Sequence, residues 1–306
     1  ALPIYVDAIN KLLKLTSDSR EQIAKHDIVA IGNHGQTVYH RPPLSIQLDD
    51  GQYIADQAGI TVVNQFRQAD LAVGGQGAPL VPAFHREIFS APDKSVAVVN
   101  IGGIANITAM SVTGGVSGFD TGPGNTLMDC WIQQARGLEF DRGGEWARGG
   151  NVILELLNAI LDDPWFRRPP PKSTGREYFN LLWVEEMLGK YSLASDPQDI
   201  QATLCEVTAM SISKALKLSD DPLQQTYICG GGAHNEYLME RLQQLSPETS
   251  LIASEVQGIP ADWVEACAFA WLARAHHNGI PGNIPAVTGA TKPCVLGTAH
   301  LPRKLD

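Results

Sequence analysis

Three short apolar strands in this chain each run straight into a glycine-rich turn. Residues 96–100 enter Gly102 and Gly103, a strand ending at Phe119 enters the turn 120–124, and residues 227–229 enter Gly230, Gly231 and Gly232. Glycine in such turns permits positive φ and lets the backbone come close to a ligand. Around the turns the apolar spacing is helical. It predicts helices over 126–135, 153–161, 203–218 and 263–276, and one over 4–15 with Ile4, Ala8, Leu12 and Leu15 on one side. A helix around 55–58 should end at Gly59, and further strands are expected at 28–31, 45–48 and 106–110. Strands that pass through glycine turns into helices indicate an α/β protein with mixed sheets, and 306 residues suggest two domains.

Charge narrows the function classes. Lys and Arg number 23 against 33 Asp and Glu, a formal net charge of −10. Nucleic-acid and membrane-surface binders need basic patches, so neither is expected as a partner. Anionic small molecules remain open, because backbone N–H groups bind phosphate without net positive charge. No apolar run approaches the ~18–20 residues of a membrane span, and no signal segment opens the chain. The first residue is Ala1, in helix-like sequence, so further residues are expected upstream. The five cysteines are scattered and never in C-x-x-C spacing, which reads as free thiols in a reducing cytoplasm.

Several familiar signatures are missing. Lys172, Ser173 and Thr174 follow Pro171 where a Walker loop needs glycine. Gly122 and Gly124 open a G-x-G-x-x-G that Leu127 closes wrongly. There is no H-E-x-x-H or G-x-S-x-G, and the eight histidines form no ligand cluster, so no protein metal site is expected. The three glycine turns remain. The segment 100–106 can aim N–H groups at a phosphate or be a plain hairpin. In 118–125 a strand delivers Asp120 to the start of a helix, as a general base or as a turn-bonding residue. The segment 229–235 can press against a flat ring or merely cap a helix. His34, at a strand end, reads as structural or catalytic. Arg67 could take an anion bidentately or pair with Asp70. Glu265, on an apolar helix, is either solvated or an acceptor for sugar hydroxyls.

Taken together and in order, NHGQTV, FRQADLAVGGQGAPLVPAFH, NIGGIANIT, GFDTGPGNTLMD, PKSTGREYFN, ICGGGAHN and PAVTGA closely resemble the anhydro-N-acetylmuramic acid kinases of peptidoglycan recycling. They run from Asn33 to Ala290. The resemblance implies the actin/hexokinase/Hsp70-type sugar-kinase fold, two α/β lobes with ATP in the cleft between them. The lobes would be 1–66 with 295–306, and 67–294. It implies that water opens the bridge of 1,6-anhydro-N-acetylmuramic acid and that the freed O6 takes the γ-phosphoryl group of ATP. Asp120 matches the family's general base. Gly102, Gly103 and Asn106 would face the triphosphate, with Gly122, Gly124 and Asn125 beside them. Gly230, Gly231, Gly232 and Asn235 would hold the adenosine. His34, Arg67 and Glu265 would line the sugar pocket, and Mg²⁺ would bridge the phosphates.

The family's M-S-G-T-S-x-D-G phosphate loop does not occur in the sequence, and its place is before Ala1. Residues 48–51 also depart from the G-D-P turn of relatives. The implied setting is the bacterial cytoplasm, with a homodimer left open. Another hexosamine kinase of this fold and a catalytically silent ATP-binding regulatory protein are the competing readings.

Overall fold

A computed structural model describes residues 2–17, 23–190 and 196–303. The chain divides into two compact units, Ala1–Phe84 with Glu265–Asp306, and His85–Val264. The sequence reading places the divisions after residues 66 and 294 instead. The helix that begins at Phe66 and the chain from 265 onward build the first unit's own core, in which Val63, Phe66, Leu80, Phe269, Leu272 and Leu296 pack together.

The first unit opens with α1 (Leu2–Ser17). The helix is where the spacing puts it, but its packed side is different. Tyr5 and Ile9 lie against Ile54, Ala55 and Val62, while Ile4 is 70% and Leu15 68% exposed. Apolar residues occur all round this helix, so spacing could not choose the face. Next come β1 (Ile31–Gly32), β2 (Gln36–Arg41) and β3 (Leu44–Leu48); β2 and β3 form an antiparallel pair. The strand expected over 28–31 shrinks to β1, and Val29 is exposed. Asp50 caps α2 (Gly51–Ala58) by accepting from the Tyr53 N–H at 2.9 Å, and Gly59 ends it at φ 61°. β4 (Val62–Asn64) pairs in parallel with β1. Gln65, at φ 54°, turns the chain into α3 (Phe66–Ala72), and α4 (Pro82–Phe89) follows.

The second unit is built on β5 (Val96–Ile101), β6 (Ile104–Met110), β7 (Val116–Pro123), β8 (Gln225–Cys229) and β9 (Ser250–Ala253). Their spatial order is β7-β6-β5-β8-β9, with the first three antiparallel and the last two joined in parallel. The sheet is mixed, as the sequence reading expects, and its strands lie in the order 3-2-1-4-5. Helices α5 (Thr126–Arg136), α6 (Glu145–Arg148), α7 (Leu154–Leu161), α8 (Leu181–Lys190), α9 (Pro197–Leu216) and α10 (Glu236–Leu245) surround it. α9 packs against β6, β7 and most of these helices. It is therefore buried on nearly all sides, not on the single face that spacing predicts, and Leu218 lies exposed beyond its end. Glu206 is held within it by both nitrogens of an Arg241 fork, at 2.8 and 2.9 Å.

The chain returns to the first unit through α11 (Val264–His277), α12 (Pro285–Thr288) and β10 (Thr298–His300). β10 pairs antiparallel with β4 and completes a sheet of order β1-β4-β10. Among the described residues, no helix is long and apolar enough to cross a membrane.

Candidate active site

In the second unit, three strands bring polar side chains into one row. Asn100 on β5 is directly opposite Asn106 on β6, and Asn106 is directly opposite Asp120 on β7. Opposed residues of antiparallel strands share a face of the sheet. All three are half-buried. The reading of 120–124 as a turn is corrected: β7 continues to Pro123, so Asp120 sits within a strand. The sheet accommodates the glycines with a bulge, because Ala105 pairs with Gly122 while Asn106 pairs with Asp120. The extra residue, Thr121, donates its hydroxyl to the Ala105 carbonyl at 3.2 Å, and Gly122 takes φ 147°.

The segment 172–174 lies along the outer edge of β7. The Asp120 N–H donates to the Lys172 carbonyl at 3.0 Å, and the Thr174 N–H donates to Asp120 Oδ2 at 2.9 Å. Asp120 Oδ1 receives no hydrogen bond among the described residues. Burial pushes the Asp120 carboxyl up to about 6, against the opposing pull of the Thr174 N–H. A carboxylate titrating just below neutrality, with one oxygen held and one open, has the form of a general base.

The junction from β7 into α5 is bonded to the tip of the β5–β6 hairpin. The N–H groups of Gly124 and Thr126 donate to the Gly103 carbonyl at 2.9 and 3.1 Å, and that of Asn125 to the Gly102 carbonyl at 2.8 Å. The Asn125 side-chain amide donates to the Ile101 carbonyl at 3.2 Å. On the other side, the Thr208 hydroxyl of α9 shares its proton between the Pro123 and Gly124 carbonyls, at 3.1 and 2.9 Å. Backbones approach so closely that a Cβ on Gly124 would collide with the Gly102 carbonyl oxygen. The donors of Gly124 and Asn125 are thus engaged by the hairpin. In contrast, the N–H groups of Gly102 and Gly103 meet no acceptor among the described residues.

The third glycine turn presses on the end of β5. Gly230 takes φ 80°, and a Cβ there would stand 2.8 Å from the Ile101 carbonyl oxygen. A Cβ on Gly232 would stand 2.6 Å from Ile101 Cβ. Asn235 caps α10, accepting from the Leu238 N–H at 3.0 Å. Next to this turn is a cavity of about 700 Å³ whose walls include Asn125, Met128, Asp129, Phe140, Gly231 and Asn235. That volume is in the range of small-molecule sites. Burial pushes Asp129 on this wall up to about 6, and the Arg176 guanidinium pulls it the other way. Sequence reasoning assigned nothing to Arg176, Asp129 or Phe140. Arg176 lies in PKSTGREYFN and Asp129 ends GFDTGPGNTLMD, segments that carried the resemblance without giving either residue a role, and Phe140 lies in none of them.

His34, Arg67 and Glu265 belong to the first unit. Arg67, on the first turn of α3, donates from Nη1 to the Gly77 carbonyl at 2.9 Å and from Nη2 to His34 Nε2 at 3.0 Å. Its Nε is buried with no partner among the described residues. His34 is therefore a neutral acceptor: burial, then the Arg67 charge, push its imidazole down to about 4. Its ring packs on Phe269 with centroids 4.5 Å apart. Glu265 is exposed on the first turn of α11, and its charge supports that of Arg67. The sequence left open a pair between Arg67 and Asp70; the structure does not form it. The buried Asp70 carboxyl accepts from the Gly77 N–H, Asn283 Nδ2 and Thr288 Oγ1, each at 2.7 Å. Arg67 therefore has no hydrogen-bonded carboxylate partner among the described residues.

The chain has remote likenesses among solved structures. It is 13% identical to the activator of 2-hydroxyisocaproyl-CoA dehydratase from Clostridium difficile with bound ADPNP, covering 73% of this chain and 71% of that one at TM-score 0.39. It is 14% identical to ethanolamine utilization protein EutJ from Carboxydothermus hydrogenoformans, covering 87% and 74% at TM-score 0.39. It is 13% identical to xylulose kinase from Rhodospirillum rubrum, covering 85% and 57% at TM-score 0.40. None of the three carries the family assignment. The family model described as anhydro-N-acetylmuramic acid kinase matches residues 2–302, nearly the whole chain. The chain therefore belongs to the anhydro-N-acetylmuramic acid kinase family.

Proposed function

We propose that the protein converts 1,6-anhydro-N-acetylmuramic acid, water and ATP into N-acetylmuramic acid 6-phosphate and ADP, in the cytoplasmic recycling of peptidoglycan. The observation that carries this reading is Asp120, a carboxylate on a rigid strand with one oxygen open and its pKa raised to about 6. It takes a proton from water as the water oxygen bonds to the anomeric carbon. The bond from that carbon to O6 breaks, and O6 attacks the γ-phosphorus. The bond from phosphorus to the β,γ-bridging oxygen breaks and ADP departs. Asp120 then releases its proton to solvent, so one base serves both bond changes.

The hairpin residues Gly102, Gly103 and Asn106 serve the triphosphate, and the cavity beside Gly231 and Asn235 takes the adenosine. Gly230 and Gly232 hold that turn against β5, and Gly122, Gly124 and Asn125 form the scaffold beneath. In the first unit, Arg67 offers its charge to the lactyl carboxylate of the sugar, with His34 and Glu265 beside it. Among the described residues no three His, Cys, Asp or Glu side chains come together as a metal cage. Mg²⁺ fits here as an ion carried on the phosphates, since it keeps several waters and needs only one or two carboxylates. Asp120 Oδ1 could accept from that water shell. When bound, the ion offsets charge on the phosphoryl oxygens.

A single turnover in ¹⁸O-water tests the reading. The label is expected on the anomeric carbon of the product. Phosphorylated product without label would assign the protein to phosphorylation of an intact sugar.

A further inference from the structure

The hairpin tip leaves a question about charge. Asp120 and Asp129 both lie near the proposed phosphate site, and the helix-start donors that could answer an anion are bonded to the hairpin. The cation beside that tip is Arg176. Its Nη2 and Nε stand 2.8 and 2.9 Å from where a Cβ on Gly103 would be, so the guanidinium occupies the space that a side chain at 103 would take. It follows Thr174, whose N–H holds Asp120, by two positions. Among the described residues it forms no hydrogen bond and no ion pair, and it is exposed. Its charge reaches Asp129 on the first turn of α5 without a salt bridge between them.

We propose that Arg176 is a phosphate-binding residue, its guanidinium completing an anion site with the N–H groups of Gly102 and Gly103 for the polyphosphate chain of the nucleotide. This deepens the functional reading above and rests on it. A guanidinium presents its donors as a planar fork that matches two phosphate oxygens, and an unpaired one need break no protein contact to do so. A side chain at 103 would push the end of the Arg176 side chain aside from the tip where the two free N–H groups lie.

The test is calorimetric binding of ATP, ADP, AMP and adenosine to the unsubstituted protein, R176A, R176M and R176K, with circular dichroism to verify folding. R176A and R176M are expected to weaken ATP about 30-fold, as the loss of a charge-assisted bidentate contact predicts. The loss should shrink with each phosphate removed and vanish for adenosine. R176K should recover part of the ATP affinity, because it restores charge without the fork. Equal weakening of ATP and adenosine would make the role structural and overturn the proposal. So would unchanged ATP affinity in R176A while the parent binds ATP, and this would leave the kinase reading intact. Failure of the unsubstituted protein to bind any of the four would reject the kinase reading and the Arg176 site together.

Discussion

Asp120→Asn separates chemistry from stability at one position. The substitution keeps the shape and an oxygen for the Thr174 N–H, but removes the base. Turnover is expected to vanish while both ligands still bind. In the parent, a carboxyl at about 6 is roughly nine-tenths ionised at pH 7 and one-tenth at pH 5. The parent's kcat/KM for sugar-dependent ATP consumption should therefore fall about tenfold between those values. A carboxyl near its ordinary 3.8 would lose little over that range. The stability consequence has a definite sign. The folded pKa lies above the unfolded one, so the folded state binds this proton more tightly. The favourable contribution is complete below pH 3.8 and is lost as pH rises through 6. Between pH 4.5 and 8 the loss is about 1.5 pH units at ~1.4 kcal/mol each, or about 2 kcal/mol. The Asn variant does not titrate, so relative to the parent it should gain that amount on going from pH 4.5 to 8. This is a Tm difference of about 4–8 °C in thermal melts. A stability difference that is the same at both pH values, together with a rate profile flat down to pH 4.5, would refute the reasoning.

Gly124→Ala should force the β7–α5 junction away from the hairpin, because its Cβ collides with the Gly102 carbonyl oxygen and stands 3.2 Å from Ala105 N. A displacement of the order of 1 Å near reacting groups lowers kcat about 100-fold, so steady-state rates near those of the parent would contradict the placement. Arg67→Ala is expected to raise KM for the sugar about 30-fold with ATP affinity unchanged, as removal of a charge-assisted contact predicts; parallel kinetic titrations of both substrates would show it. Asp70→Ala leaves the Gly77 N–H, Asn283 Nδ2 and Thr288 Oγ1 without their shared acceptor in a fully buried place. Urea unfolding should show a loss of about 3 kcal/mol or more.

Much of the second unit was legible. The strands around residues 96–100 and 227–229 and the helix starting at Thr126 are short-range patterns of buried residues and glycine, and they fold as written. The continuation of β7 through Asp120 was not legible, because G-P-G reads locally as a turn. A neighbouring strand and a one-residue bulge let it stay in the sheet. The resemblance put Gly124 and Asn125 beside the triphosphate, and the engagement of their N–H groups by the hairpin was not legible for a similar reason. Their acceptors lie more than twenty residues earlier, and no spacing rule points to them. The contact of Arg67 with His34, 33 residues apart, and the position of Arg176 at Gly103 are likewise products of tertiary folding. Asp120 was singled out as a carboxylate that a strand delivers to a glycine-rich stretch, and only the family resemblance chose the general base over a turn-bonding role.

Thr208 lies on a helix buried nearly all round, and its hydroxyl grips the backbone just after the bulge while the hairpin grips it from the opposite side. The end of the strand that carries Asp120 is consequently a fixed anvil for the proposed chemistry, not a moving part. By contrast Phe140, half in solvent, stands on the wall of the cavity proposed for the adenosine with no such double anchor described.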